Sequence, residues 1–168
     1  MNSIIEIKFI ETEKYYKVGD IVLFDGSKVS VDDIDDYQID QSNKPIAVIG
    51  IVLYGGGSGL GIGFEIGENL KWASEGTFGF DTYFEDIDVT VTGEIGNYVF
   101  EGDLDGSDNW EYICSVDSSA SWNAEYNYPV FNFANNYGSY AGLEGTEYEN
   151  GWYVPSIAEL YDVYTNKT

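Results

Sequence analysis

The chain has 168 residues, enough for one domain with a sizeable core, and its 43% hydrophobic and 17% aromatic content is too apolar for a disordered protein. Thirty acidic residues stand against seven lysines, with no arginine and no histidine, for a formal net charge of -23. Polyanions are bound by neutralising them with Lys and Arg, so nucleic acid and anionic lipid surfaces are excluded as partners, and the missing histidine removes catalytic triads, Cys-His dyads and the usual His-containing metal sites.

A single domain over residues 1–168 is predicted, β-rich over 14–100 and helical over 101–168. The first ten residues lack the basic start, long apolar run and cleavage site of a secretory signal. No stretch reaches the roughly 18 apolar residues of a membrane helix, so no membrane insertion is expected of this chain. An extracellular or cell-surface location would require a signal already removed.

Val18–Phe24, Asp25-Gly26-Ser27 and Lys28–Val31 predict a small β-hairpin, because Asp-Gly is a strong hairpin turn. Asp32–Asp36 is an acidic surface loop or helical turn, and Lys44–Tyr54, nearly continuous β-branched apolar sequence, predicts a central buried strand. The glycine run that follows, Gly55–Gly63, would need a helix straight after it to bind a dinucleotide. Ile62-Gly-Phe-Glu-Ile-Gly is strand-like instead, which predicts a mobile hairpin connection.

Leu70–Ser74 is a short apolar segment anchored by Trp72, and Thr77–Glu85 is aromatic and loop-like. Asp88–Gly93 and Asn97–Gly102 predict two further strands. Asn109–Val116 can form two helical turns with Trp110, Ile113 and Cys114 on one face. In Tyr128–Tyr137, Pro129 suits a first helical turn, Val130, Phe133, Ala134 and Tyr137 share a face, and Gly138 would stop the helix. Trp152-Tyr153-Val154 is a short buried segment ended by Pro155. Ser156 and Glu159 then form the S-x-x-E box that opens a last helix, with Ile157, Leu160, Tyr161 and Tyr164 as its apolar stripe.

Two places carry chemistry. Asp103-Leu-Asp-Gly-Ser-Asp-Asn alternates carboxylates around a glycine, so Asp103, Asp105 and Asp108 could surround Ca²⁺, although the spacing is not that of an EF-hand. The competing use of such a run is in Asx-turns and helix caps, with Asp108 or Asn109 capping the next helix. Fifteen tyrosines and four tryptophans are the second signal. Trp122, Tyr126 and Tyr128 lie in a polar Asn/Ser-rich stretch, where exposed rings would contact a sugar or protein ligand; the competing reading is that they pave a broad core. Cys114 sits among apolar and acidic neighbours with no cation to lower its thiol pKa, which predicts an inert residue. Many carboxylates but no selective pair leave a carboxylate-based hydrolase as the remaining enzymatic alternative.

The order Asp105-Gly-Ser-Asp-Asn109, Ile113, the aromatic helix Tyr128–Tyr137 and Gly151-Trp-Tyr-Val-Pro-Ser156 with Glu159-Leu160 resembles bacterial domains of the DUF1566 (Lcl C-terminal) and FISUMP type. The Lys44–Val48 strand and Leu70–Ala73 are similar to the region preceding that motif in spirochaete and gut-bacterial members. The resemblance implies an α+β, C-type-lectin-like fold related to formylglycine-generating enzymes. It implies a ligand-binding module of a bacterial surface or secreted protein; no cofactor is expected beyond calcium at the Asp103, Asp105 and Asp108 run. It also implies a C-terminally shortened or divergent member, since the strands that complete the lectin-like sheet would follow Thr168. Formylglycine-generating enzymes need a reactive cysteine pair, and one cysteine cannot supply it.

Overall fold

A computed structural model describes residues 3–4, 7–11, 15–36, 42–53 and 58–166. It is an α+β structure built on a six-stranded antiparallel sheet. Its strands are β2 (Ile7–Glu11), β3 (Ile21–Leu23), β4 (Lys28–Val29), β5 (Pro45–Val52), β6 (Ser58–Gly63) and β10 (Trp152–Tyr153), in the order β10-β2-β6-β5-β3-β4. Two small ribbons accompany it: β1 (Ser3–Ile4) with β7 (Gly67–Glu68), and β8 (Val89–Glu94) with β9 (Asn97–Gly102). The helices are α1 (Asn109–Val116), α2 (Ala124–Asn127), α3 (Pro129–Asn135), α4 (Tyr137–Tyr140) and α5 (Ile157–Thr165).

The expected hairpin is β3–β4, closed by Gly26 at φ 79° and by Asp25 Oδ1 accepting from Ser27 N–H at 2.8 Å. Asp32–Asp36 falls within a 3-10 turn, Val31–Asp36. β5 is the expected interior strand, paired on both sides and burying Ile46, Ala47 and Ile49. β6 pairs antiparallel with β5 and takes in Ser58–Gly63, so most of the glycine run is strand and not hairpin connection; a loop, not a helix, follows it. Gly55 to Gly57 of that run lie outside the described residues. Within β6 the glycines make room for a neighbour: a Cβ on Gly63 would come within 3.0 Å of the Tyr137 ring.

Three expectations need correction. The β-rich part begins before residue 14, since β2 lies inside the sheet between β10 and β6, pairing Ile7 with Ile62 and Tyr153. Gly138 does not stop the aromatic helix. That helix ends at Asn135, and Gly138 sits inside the next turn, α4, where a Cβ would collide with the Glu149 carbonyl. The α5 stripe is half outside: Ile157 is 51% and Tyr164 66% exposed, while the buried residue of this helix is Glu159.

Two apolar clusters form the core. One packs the sheet residues Val22, Ile46 and Ile49 against Tyr137, Leu143, Tyr148 and Trp152. The other gathers Ala73, Phe84, Ile113, Tyr128, Val130 and Phe131. α3 stitches them together, because Phe133 faces the first and Phe131 belongs to the second. Lys8 fastens the turn before β10: its Nζ donates to the carbonyls of Glu147, at 2.8 Å, and Asn150. Burial lowers the pKa of this lysine, against the pull of Glu147.

Candidate functional site

The segment Asp103–Asn109 is a pair of successive Asx-turns. Asp103 Oδ1 accepts from Asp105 N–H at 3.1 Å, and Asp105 Oδ1 accepts from Ser107 N–H at 2.9 Å. Between them Gly106 N–H donates to Glu159 Oε2 at 3.0 Å. The chain approaches so closely here that a Cβ on Gly106 would land 2.7 Å from Ser156 N. Only glycine has room for that contact.

Glu159 therefore has two tasks. As the third residue of α5 it completes the predicted capping box, accepting from Ser156 N–H at 2.9 Å while Ser156 Oγ accepts from Glu159 N–H at 3.2 Å. Its other oxygen accepts the Tyr153 hydroxyl at 2.6 Å. Burial, then Glu159, pushes the Tyr153 pKa far up, so this phenol stays protonated and donating.

Beside this network lies a cleft of about 590 Å³ bounded by Gly79–Val89 on one side and Val154–Leu160 on the other. Trp72, Phe84, Ile87 and Phe131 form its apolar wall. Trp72 meets Phe84 at 5.4 Å and Phe131 at 5.3 Å between ring centroids, the second edge-on, an arrangement that fixes aromatic surfaces. Tyr83 stands at the edge, 71% exposed, its hydroxyl donating to Asp88 Oδ2 at 2.8 Å. That bond raises the Tyr83 pKa. Asp103 and Asn109 also border the cleft, and neither Asp103 Oδ2 nor Asn109 Oδ1 has a hydrogen-bond partner among the described residues, although both atoms are closed to water.

The predicted site residues separate. Asp103 and Asp105 spend an oxygen each on backbone N–H groups, and Asp108 stands exposed at the start of α1 without a side-chain capping bond. Among the described residues no three His, Cys, Asp or Glu side chains are grouped to hold a metal ion. Trp122, 90% exposed, and Tyr126, 58% exposed, lie on the surface. Tyr128 is fully buried and corrects the expectation of a ligand contact: its hydroxyl donates to Asp117 Oδ2 at 2.9 Å, and its ring packs edge-on against Trp72 and Trp110. The polar neighbours of Tyr128 in sequence are not its neighbours in space. Cys114 is half-buried, and burial with the nearby Asp117 raises its thiol pKa.

Neither Trp122 nor Tyr126 borders the cleft. The cleft residues were visible in sequence only as separate fragments: the Trp72 anchor, the aromatic Thr77–Glu85 loop, a helix cap at Asn109 and a capping box at Ser156. No protein-family model, no curated protein and no solved structure matches the chain.

Proposed function

We propose that the chain is a non-enzymatic binding module, recognising a protein or glycan ligand on a C-type-lectin-like scaffold of the DUF1566 type, as part of a bacterial surface or secreted protein. The observation that carries this reading is the cleft between Gly79–Val89 and Val154–Leu160. Its aromatic wall is positioned by ring packing, and its edge carries the exposed Tyr83 bonded to Asp88, the combination of broad apolar contact and a few polar groups by which ligand sites orient what they bind. The exposed Trp122 and Tyr126 offer a second contact surface of the same chemistry.

Support for the non-enzymatic reading comes from the missing histidine and from a thiol whose pKa is raised. A glycan array and pull-downs with the intact chain test the function; both empty would reject it. Calcium at Asp103, Asp105 and Asp108 is tested separately. Because two of these carboxylates already serve as turn acceptors, the expected result is a melting temperature unmoved by millimolar Ca²⁺ or by a chelator, whereas a rise would mean that the ion binds the folded state.

One observation favours a second reading, an assembly segment of a larger protein. The β8–β9 ribbon is exposed along almost its whole length, with Val91, Ile95 and Val99 uncovered, and leans on the body through Tyr98 and Phe100 against Tyr161. Such a ribbon presents open edges to another chain. A chain unfolded by circular dichroism in isolation, and folded when extended at its C-terminus, would select this reading.

A further inference from the structure

We infer that Asn150-Gly151 is a self-modifying site, at which the Asn150 side chain closes on the Gly151 nitrogen and water then converts the residue to isoaspartate and aspartate. This holds whether or not the cleft beside α5 binds a ligand. Asp or Asn precedes glycine at Asp25-Gly26, Asp105-Gly106 and Asn150-Gly151. A following glycine, having no Cβ, lets the side chain reach the next backbone nitrogen. That nitrogen must also be available. Gly26 N–H donates to Leu23 O at 2.9 Å, and Gly106 N–H donates to Glu159 Oε2 at 3.0 Å. The side chains of these two pairs are held as well, Asp25 Oδ1 accepting from Ser27 N–H and Asp105 Oδ1 from Ser107 N–H. Asn150-Gly151 is held in neither way. Among the described residues Gly151 N–H has no acceptor and the Asn150 side chain makes no hydrogen bond. Both residues are exposed, so water reaches them.

Lys8 adds a chemical push. Its Nζ donates to the Asn150 carbonyl, the oxygen of the same peptide unit that carries Gly151 N–H. An ammonium on that oxygen stabilises the amide anion left when the N–H loses its proton, as a preplaced donor stabilises any developing oxyanion. The nitrogen then forms a bond to Asn150 Cγ, the Cγ–Nδ2 bond breaks, and ammonia leaves with the proton that the Gly151 nitrogen gave up. Water opens the resulting cyclic imide. Attack at Cγ breaks the new N–Cγ bond and leaves aspartate; attack at the backbone carbonyl breaks the original peptide bond and leaves isoaspartate, with the chain running through Cγ.

The position gives the conversion a structural consequence. Either product adds a carboxylate next to the Lys8 ammonium, and isoaspartate also lengthens the backbone by a methylene just before β10, whose Trp152 and Tyr153 pair with Lys8 and Ile7. Asn150 and Gly151 border a second cleft, of about 450 Å³, together with Trp110 and Glu111. The modification therefore changes the charge of that surface and the seating of an edge strand.

The test incubates the full chain, folded and in guanidinium chloride, at neutral and mildly alkaline pH. Peptides holding each of the three pairs are then followed by mass and by chromatographic separation of isoaspartyl from aspartyl forms. The expected result is that Asn150 converts in the folded chain at least as fast as in denaturant, whereas isoaspartate at Asp25 and Asp105 forms only in denaturant. Protection of Asn150 by folding, as at the other two pairs, overturns the inference. For Lys8, the expected result is that Lys8→Met slows the conversion in the folded chain but not in denaturant, and that Lys8→Arg, which keeps the cation, restores it. A folded Lys8→Met variant that converts at the unaltered rate overturns the part assigned to Lys8. The folded-against-denatured comparison on the unaltered chain stands even if that variant does not fold.

Discussion

Glu159 accepts from Gly106, Ser156 and Tyr153 at once, joining the Asx-turn loop, the helix start and β10 through one buried carboxylate. Glu159→Ala leaves two backbone N–H groups and a phenol without an acceptor and is expected to cost about 2–4 kcal/mol in urea unfolding. A loss below that of an ordinary helix cap, about 1 kcal/mol, would show that the bridge is not structural. Asp117 gives a pH signature. Burial pushes its carboxyl up, but donation from Ser119 N–H at 2.8 Å, Ser119 Oγ–H at 2.7 Å and the Tyr128 hydroxyl outweighs burial and holds the pKa below the usual carboxylate range. A lowered folded pKa means stability that is complete above the unfolded value, about 3.9, and is lost as pH falls through the folded one. Asp117→Asn is therefore expected to melt lower than the wild type at pH 7, with the gap closing as the solution is acidified below pH 4. A gap unchanged down to pH 2 would refute this assignment.

Among the elements, α4 depends on a close approach. Gly138 lies against the Glu149 carbonyl, so Gly138→Ala must push the turn before β10 away from the helix and is expected to cost about 1–3 kcal/mol. An unchanged urea midpoint would mean that the turn yields freely. Local chemistry made many elements legible from sequence: the Asp25-Gly26 turn, the Ser156–Glu159 box and Pro129 at the first turn of α3 each depend on a few adjacent residues. Long-range pairing did not show. β2 earns its place by pairing Ile7 with Ile62 and Tyr153, partners that no local pattern names. Tyr128 misled for the same reason, since its polar sequence neighbours conceal a side chain buried between α1 and Trp72. The cleft is assembled from five separated stretches, so its fragments were readable and their meeting was not.

At the scale of the whole molecule, the negative charge is barely offset. Lys28 pairs with Asp20, while Lys8 and Lys44 are spent on backbone carbonyls, Lys44 Nζ donating to Ala141 O at 2.5 Å. Self-repulsion then opposes the compact state, and salt shortens its reach from about 30 Å at 0.01 M to about 8 Å at 0.15 M. The melting temperature is expected to rise over that range of NaCl; a flat or falling response would show that the surface carboxylates are already balanced. Among the described residues no helix is long and apolar enough to cross a membrane.

The central claim is that ligand binds in the cleft beside α5. It is tested most directly by taking a ligand captured on the array or in the pull-down and mapping it by amide shifts on the labelled chain. The account predicts that the largest shifts fall at Thr82–Val89 and at Val154, Ser156 and Ile157. Shifts confined to Trp122 and Tyr126, or to the β8–β9 ribbon, would contradict it.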